Sequence, residues 1–129
     1  MSTDSRPLGV NIMNLETRRD AILHLAIRAD ELGYEALSFP ETWSYDAMLI
    51  LTEISVRTQQ IRPWATILGV WGRSAAQIAM ASATLNMISG GRFMLGLGTS
   101  TKQLAEGLHD VSYRTSREKA QGFQPWEPL

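Results

Sequence analysis

The feature that most constrains this chain is a repeat in its patterning. Short β-like runs begin near residues 8, 35, 64 and 93, so successive starts lie 27, 29 and 29 residues apart, and a helical stretch follows each run. One strand and one helix per unit at a near-constant period predict repeated βα units and a parallel sheet. Right-handed crossovers then place helices against a face of that sheet. Periodicity leaves two architectures open: an open doubly wound sheet, or an arc of a (β/α)8 barrel. A whole barrel takes about 250 residues, so four units make half of one.

The elements read as follows. Leu8 to Ile12 is the first strand. Thr17-Arg18-Arg19-Asp20 has the form of a capping box, and Ile22, Leu25, Ala26, Ala29 and Leu32 make the apolar stripe of the helix behind it, which Gly33 stops. Glu35 to Phe39 forms the second strand, ending at Pro40. Ser44 is placed to cap a helix with Ala47, Met48, Leu51, Ile54 and Ser55 on its buried side. The third strand spans roughly Trp64 to Val70, and a turn at Gly72 leads to a Ser74 cap. The next helix carries Ile78, Ala81, Ser82, Leu85 and Ile88, and Gly90-Gly91 ends it. Phe93 to Leu97 is the fourth strand, with a shorter helix over about 102–108. From Ser112 the pattern fails, so residues 1–111 read as the domain and 112–129 as a polar tail, with Phe123 and Trp126 expected to pack on apolar surface.

Composition narrows the function classes. A net charge of -1 gives no electrostatic footprint for nucleic acid or an anionic membrane. The absence of cysteine excludes disulfides, thiolate metal sites and thiol catalysis. No His/Asp/Glu cluster has metal-ligand spacing, so no metal is expected. The polar stretch from Met1 to Pro7 is followed by no apolar signal region, and no run reaches membrane-spanning length. A cytoplasmic location is the expectation.

The third and fourth units are more specific. Gly72-Arg73-Ser74-Ala75-Ala76, then Ala79 to Leu85, then Ser89-Gly90-Gly91-Arg92-Phe93-Met94-Leu95-Gly96-Leu97-Gly98-Thr99-Ser100 resemble the luciferase-like monooxygenase family, which includes bacterial luciferase, alkanesulfonate monooxygenases and deazaflavin-dependent reductases. Phe39-Pro40-Glu41-Thr42-Trp43 and Ala105 to Asp110 extend the likeness, which is greatest to the deazaflavin-type members and covers about residues 8 to 111. The resemblance implies a (β/α)8 fold and a cofactor in the barrel mouth, either FMN or the deazaflavin coenzyme F-420. It also implies a small organic substrate, with hydride transfer or oxygen activation at the cofactor.

In such a barrel the C-terminal strand ends carry function and the N-terminal ends carry structure. Gly90-Gly91-Arg92 then belongs to the bottom, where Arg92 is expected to gather backbone carbonyls or a carboxylate. Gly96, Gly98, Thr99 and Ser100 lie at the top. Glycines there let a planar ring approach the backbone, and the hydroxyls and amides beyond can reach a phosphate; an ordinary turn is the alternative. The resemblance places a bulge with a non-prolyl cis peptide under the flavin ring at Thr66-Ile67. Glu41 suits an acid/base or cofactor-edge role, or a simple helix-start anion. Some relatives carry an Asp-His-like pair where this chain has Glu41-Thr42. His109, in the loop past the fourth strand, is the second catalytic candidate, while His24 lies within a helix. Asn11 and Asn14 suit substrate contact or an Asx turn, Trp71 a substrate-pocket wall or packing, and Arg73 a phosphate or the surface.

Three functions follow: a luciferase-like oxidoreductase domain, a catalytically inactive half barrel that associates with another chain, and a small nucleotide-binding module. Four strands leave two edges and an apolar face open, which favours pairing with a second chain. The folded chain is therefore expected as a homo-oligomer or with a partner covering the open half. Sedimentation checks this, and a compact, stable monomer contradicts it.

Overall fold

In the computed structural model the structure describes residues 7–113. Of the expected tail only Ser112 and Tyr113 fall within that range; Phe123 and Trp126 lie outside the described residues. The elements are β1 (Gly9–Asn11), α1 (Arg19–Glu31), β2 (Ala36–Phe39), α2 (Ala47–Arg57), β3 (Arg62–Gly69), α3 (Ala75–Ile88), β4 (Met94–Gly98) and α4 (Lys102–Gly107). All strand pairs are parallel and the order is β1-β2-β3-β4. A doubly wound sheet reverses its strand order at a switch point. Here each strand lies beside its successor, and α1 packs on α2 and α2 on α3 along one face. The fold is therefore the first arc of a (β/α)8 barrel.

Helix starts show where local signals were overruled. No side chain caps α1: its N-cap is Arg18, whose backbone N–H is taken by the Glu16 carboxylate at 2.8 Å, so Thr17 caps nothing. The Thr17 carbonyl instead accepts the Tyr45 hydroxyl at 2.7 Å, while Asp20 keeps its place in the first turn. Ser44 does not cap α2 either. That helix begins later, and Asp46 accepts the N–H groups of Met48 and Leu49 at 2.9 and 3.2 Å. Ser74 does cap α3, in a reciprocal box with Gln77.

The core lies between sheet and helices. Leu37 and Phe39 of β2, with Ala65 and Leu68 of β3, meet Ile22 and Ala26 of α1 and Leu51 and Ile54 of α2, all of them essentially inaccessible. The α2 stripe is the expected one. On α1, Leu25 and Leu32 are exposed and Leu23 and Asp30 are buried in their place. The helix is rolled because Asp30 faces inward to a polar task. Its carboxylate accepts the backbone N–H groups of Gln59, Gln60 and Ile61 at 2.8, 2.8 and 2.6 Å, all from the turn that leads into β3.

Arg92 holds that turn from the other side. Its guanidinium donates to the carbonyls of Ser55, Thr58 and Ile61 at 2.8, 3.2 and 2.6 Å and to the Thr58 hydroxyl at 3.1 Å, while Nε donates to Ser89 O at 2.7 Å. The bottom-end motif is structural, as its place before β4 implied.

Burial works to raise the Asp30 pKa, but the three backbone donors and the Arg92 charge outweigh it, and the net direction is down. A depressed carboxylate contributes stability above its unfolded value of about 3.9 and loses it as pH falls through the lower folded value. Asp30→Asn keeps one acceptor oxygen for three donors, so a loss of about 1–3 kcal/mol is expected at pH 7. Urea unfolding at pH 7 and in steps below pH 4 checks both parts: the gap between variant and wild type narrows as Asp30 protonates.

Candidate functional site

The expected functional residues gather at the C-terminal end of the sheet. Glu41 follows β2 by two residues. Its backbone N–H donates to Ile67 O at 3.4 Å, which ties the β2–α2 loop to β3. Its carboxylate accepts Gly69 N–H at 3.3 Å, Ala47 N–H at 3.4 Å and the Arg73 guanidinium at 2.7 Å. The second arm of Arg73 pairs with Asp46. The Glu41 and Arg73 side chains are only 8% and 17% exposed, so this pair is largely withdrawn from water. Arg73 is held more firmly protonated than a free guanidinium, first by its hydrogen bond to Glu41 and against the opposing effect of burial. Both Glu41 oxygens are occupied, and the carboxylate serves as an anchor for two loops.

His109 stands over the same place. Its ring fills the notch at Gly72, where a Cβ would fall 2.5 Å from Cε1 and 2.7 Å from Nδ1. A polar cleft of about 270 Å³ lies between the ring and the ion pair, lined by Glu41, Thr42, Tyr45, Asp46, Gly72, Arg73, Leu108 and His109. A larger concavity of about 560 Å³ runs between α2 and α3 on the outer surface and includes neither Glu41 nor His109.

The second group lies where β3 meets β4. Thr66 and Ile67 are joined by a cis peptide, and the β3–β4 register shifts between Ala65 and Leu68, so the expected bulge is present. Ile67 lies against Gly98, where a Cβ would overlap Ile67 Cδ1, and a Cβ on Gly96 would fall 2.5 Å from Ala65 O. The bulged strand itself occupies the space that both glycines leave. The Thr66 hydroxyl is buried without a partner, whereas Trp64 and Ile67 are each 40% exposed. Ser100 takes a left-handed backbone, and Thr99 O accepts the Trp71 indole at 2.6 Å. Trp71 also packs on Tyr113, with ring centroids 5.5 Å apart. Two half-exposed apolar side chains beside a buried hydroxyl that lacks a partner suit the flat, mixed surface of a tricyclic ring.

Asn11 ends β1 and accepts the Ser38 hydroxyl. Arg73 pairs with carboxylates in place of a phosphate. Among the described residues no group of three His, Cys, Asp or Glu is placed to hold a metal, and no helix is long and apolar enough to cross a membrane. Sequence reading missed Asp46 and the Gly72 notch. Their one signal was position, since Glu41 and Arg73 each lie just past the ends of adjacent strands.

A parallel arc with its polar groups at the C-terminal strand ends defines part of a (β/α)8-barrel scaffold. The chain belongs to the luciferase-like monooxygenase family, whose model matches residues 7–124 and so runs past Val111. It is 35% identical over 85 residues to a Mycobacterium tuberculosis protein whose name proposes a coenzyme F-420-dependent oxidoreductase, a match covering 66% of this chain and 24% of that one. Among solved structures, the coenzyme F-420-dependent tetrahydromethanopterin reductase of Methanopyrus kandleri matches with a TM-score of 0.71 and 27% identity, over 79% of this chain and 29% of that one. The oxygenating constituent of 3,6-diketocamphane monooxygenase from Pseudomonas putida, solved with FMN, matches with a TM-score of 0.71 and 21% identity, over 80% and 32%. This last likeness concerns the fold. The chain thus spans a quarter to a third of the length of these three proteins.

Because the Glu41–Arg73 pair is shielded, removing one partner leaves the other charge uncompensated. Arg73→Met is expected to cost about 3 kcal/mol, the lower end of the range for breaking a buried pair. Thermal or urea unfolding checks this, and a cost below about 1 kcal/mol would reduce the pair to a surface contact.

Proposed function

We propose that this chain forms the front wall of the cofactor and substrate site of a flavin- or deazaflavin-dependent oxidoreductase. The observation that carries the reading is the gathering of Glu41, Arg73, His109 and the β3–β4 bulge at the one end of the sheet where a barrel of this kind works. FMN or coenzyme F-420, when bound, supplies the hydride or oxygen chemistry. In this reading Thr66, Ile67, Gly96 and Gly98 bear on the ring, with Ile67 as an apolar support and the two glycines allowing β3 and β4 to close beneath it. Thr99 and Ser100, just past β4, offer hydroxyl and amide donors to the remainder of the cofactor. His109 faces the substrate as the proton-transferring group, held in place by Gly72. Glu41 positions the β2–α2 and β3–α3 loops through Arg73.

The open face of the sheet calls for a second wall, as the rest of a barrel would supply, and the substrate is a small organic molecule lying between the two. The relatives of 35% and 27% identity are named for coenzyme F-420, which supports that cofactor, while FMN stands as the alternative that the same fold accommodates.

Fluorescence titration of the purified chain with FMN and with coenzyme F-420 tests the reading. Saturable binding of one of them is expected, with affinity reduced about tenfold or more by Ile67→Asp, which sets a charge against an apolar ring. If neither binds, the chain is a non-enzymatic half barrel that acts by association.

A further inference from the structure

We propose that residues 100–112 form a lid over the cleft beside the Glu41–Arg73 pair, and that closing the lid seats His109 there. The inference rests on the oxidoreductase reading only for what the lid admits, the substrate; the lid itself stands on geometry.

Three observations lead to it. First, the stretch is bonded to itself. Among the described residues, every hydrogen bond and ion pair made by residues 101–113 falls within them. Thr101 caps α4, Lys102 pairs with Glu106, the N–H groups of His109 and Val111 return to the carbonyls of Leu104 and Ala105, and the Glu106 carboxylate accepts Tyr113 N–H. The body of the stretch can therefore lift from the rest of the protein without breaking a hydrogen bond to it. Second, its hold on the protein is slight. Ala105 alone is buried within 101–113, whereas α1 buries five residues and α2 six. Few buried apolar contacts mark the units of a fold that open most easily. The other contacts are of shape: a Cβ on Gly107 would lie 3.7 Å from Cη2 of Trp43, and the His109 ring sits in the Gly72 notch. Third, both ends meet at one post. The Trp71 indole donates to Thr99 O just before the stretch, and its ring packs on Tyr113 just after it. A self-packed loop with its ends held close is frequently functional. Ser100, the first residue past the post, has a φ of 55°, a left-handed backbone uncommon for a residue with a side chain and found most at segments that switch.

The lid bears on the site because it supplies one of the walls. Leu108 and His109 come from it, whereas Glu41, Arg73 and the rest of the lining belong to the β2–α2 and β3–α3 loops. With the lid open, the cleft loses that wall and a ligand can enter from the side. With it closed, the ring occupies a notch that exists because position 72 has no Cβ. Gly72 is thus the catch of the lid. Its backbone is not left-handed, and the nearest atoms to a Cβ there all belong to the His109 ring, so an alanine at this position meets that ring first.

Relaxation-dispersion NMR on the full, isotopically labelled chain without cofactor is the test, because lid motions fall in the microsecond-to-millisecond range. One exchange process with a common rate is expected at the amides of Leu104, Ala105, Gly107 and His109, and not in α1 or α2. Gly72→Ala sets a methyl group against the ring and should raise the open fraction about threefold or more at all four positions. His109→Ala removes the ring from the catch and should act in the same direction. Adding Gly72→Ala to His109→Ala should then change nothing further, because the new methyl has no ring to strike; this also guards against a folding defect caused by the alanine itself. Exchange confined to His109, no exchange and no signal shift along the stretch in Gly72→Ala, or two effects that simply add in the double variant would overturn the inference. No cofactor enters the measurement, so the lid can be found where FMN and coenzyme F-420 both fail to bind, and a rigid stretch leaves cofactor binding untouched. The two readings fall separately.

Discussion

The arc depends on a clamp at its lower end. Asp30 takes three consecutive backbone N–H groups of the 59–61 turn, and Arg92 takes three carbonyls of the same region. One anion and one cation thereby satisfy both polarities of a peptide segment that no helix or strand could satisfy, which burial would otherwise forbid. The clamp joins α1, the α2–β3 turn and the entry to β4. It sets where β3 begins, and the strand then carries its C-terminal end to the site.

At the opposite end a second ion pair has a comparable role with different consequences. The Glu41–Arg73 pair binds the loops after β2 and β3, and Asp46 extends it to the start of α2. This pair is largely shielded from water, and the His109 ring stands over the same place, seated at Gly72. The division follows the general logic of barrels, in which structure concentrates at the bottom and adaptable chemistry at the top. The same logic explains why Glu41, a plausible acid/base by sequence, is better understood as an anchor: both of its oxygens are in use.

The sheet is covered on one side by α1, α2 and α3, and the cover thins at the last strand. Leu95 and Leu97 pair with the fully buried Ala65 and Leu68 and share their face, yet they are 40% and 49% exposed. With Trp64 and Ile67 half-exposed as well, the arc shows apolar surface near β4 on both faces. That distribution agrees with a chain that spans only part of the length of its relatives.

Much of the arc was legible in the sequence, because βα periodicity, glycine stops and the Ser74 cap are local signals whose physics acts over a few residues. The α2 stripe, the Gly90-Gly91 turn and the structural role of Arg92 were readable for the same reason, as was the place of Thr66-Ile67 once the family likeness was seen. Local signals misled where a competing carboxylate intervened. Glu16 took the Arg18 N–H and left α1 without a side-chain cap, Asp46 capped α2 in place of Ser44, and Leu25 lost its burial to the inward turn of Asp30. Residue types and spacing by themselves determined a parallel βα arc with its polar residues at the strand ends. Only the tertiary structure decided that Glu41 pairs with Arg73, that Gly72 seats His109 and that β3 occupies the space over Gly96 and Gly98, because each contact joins residues about 30 or more apart whose meeting depends on strand register.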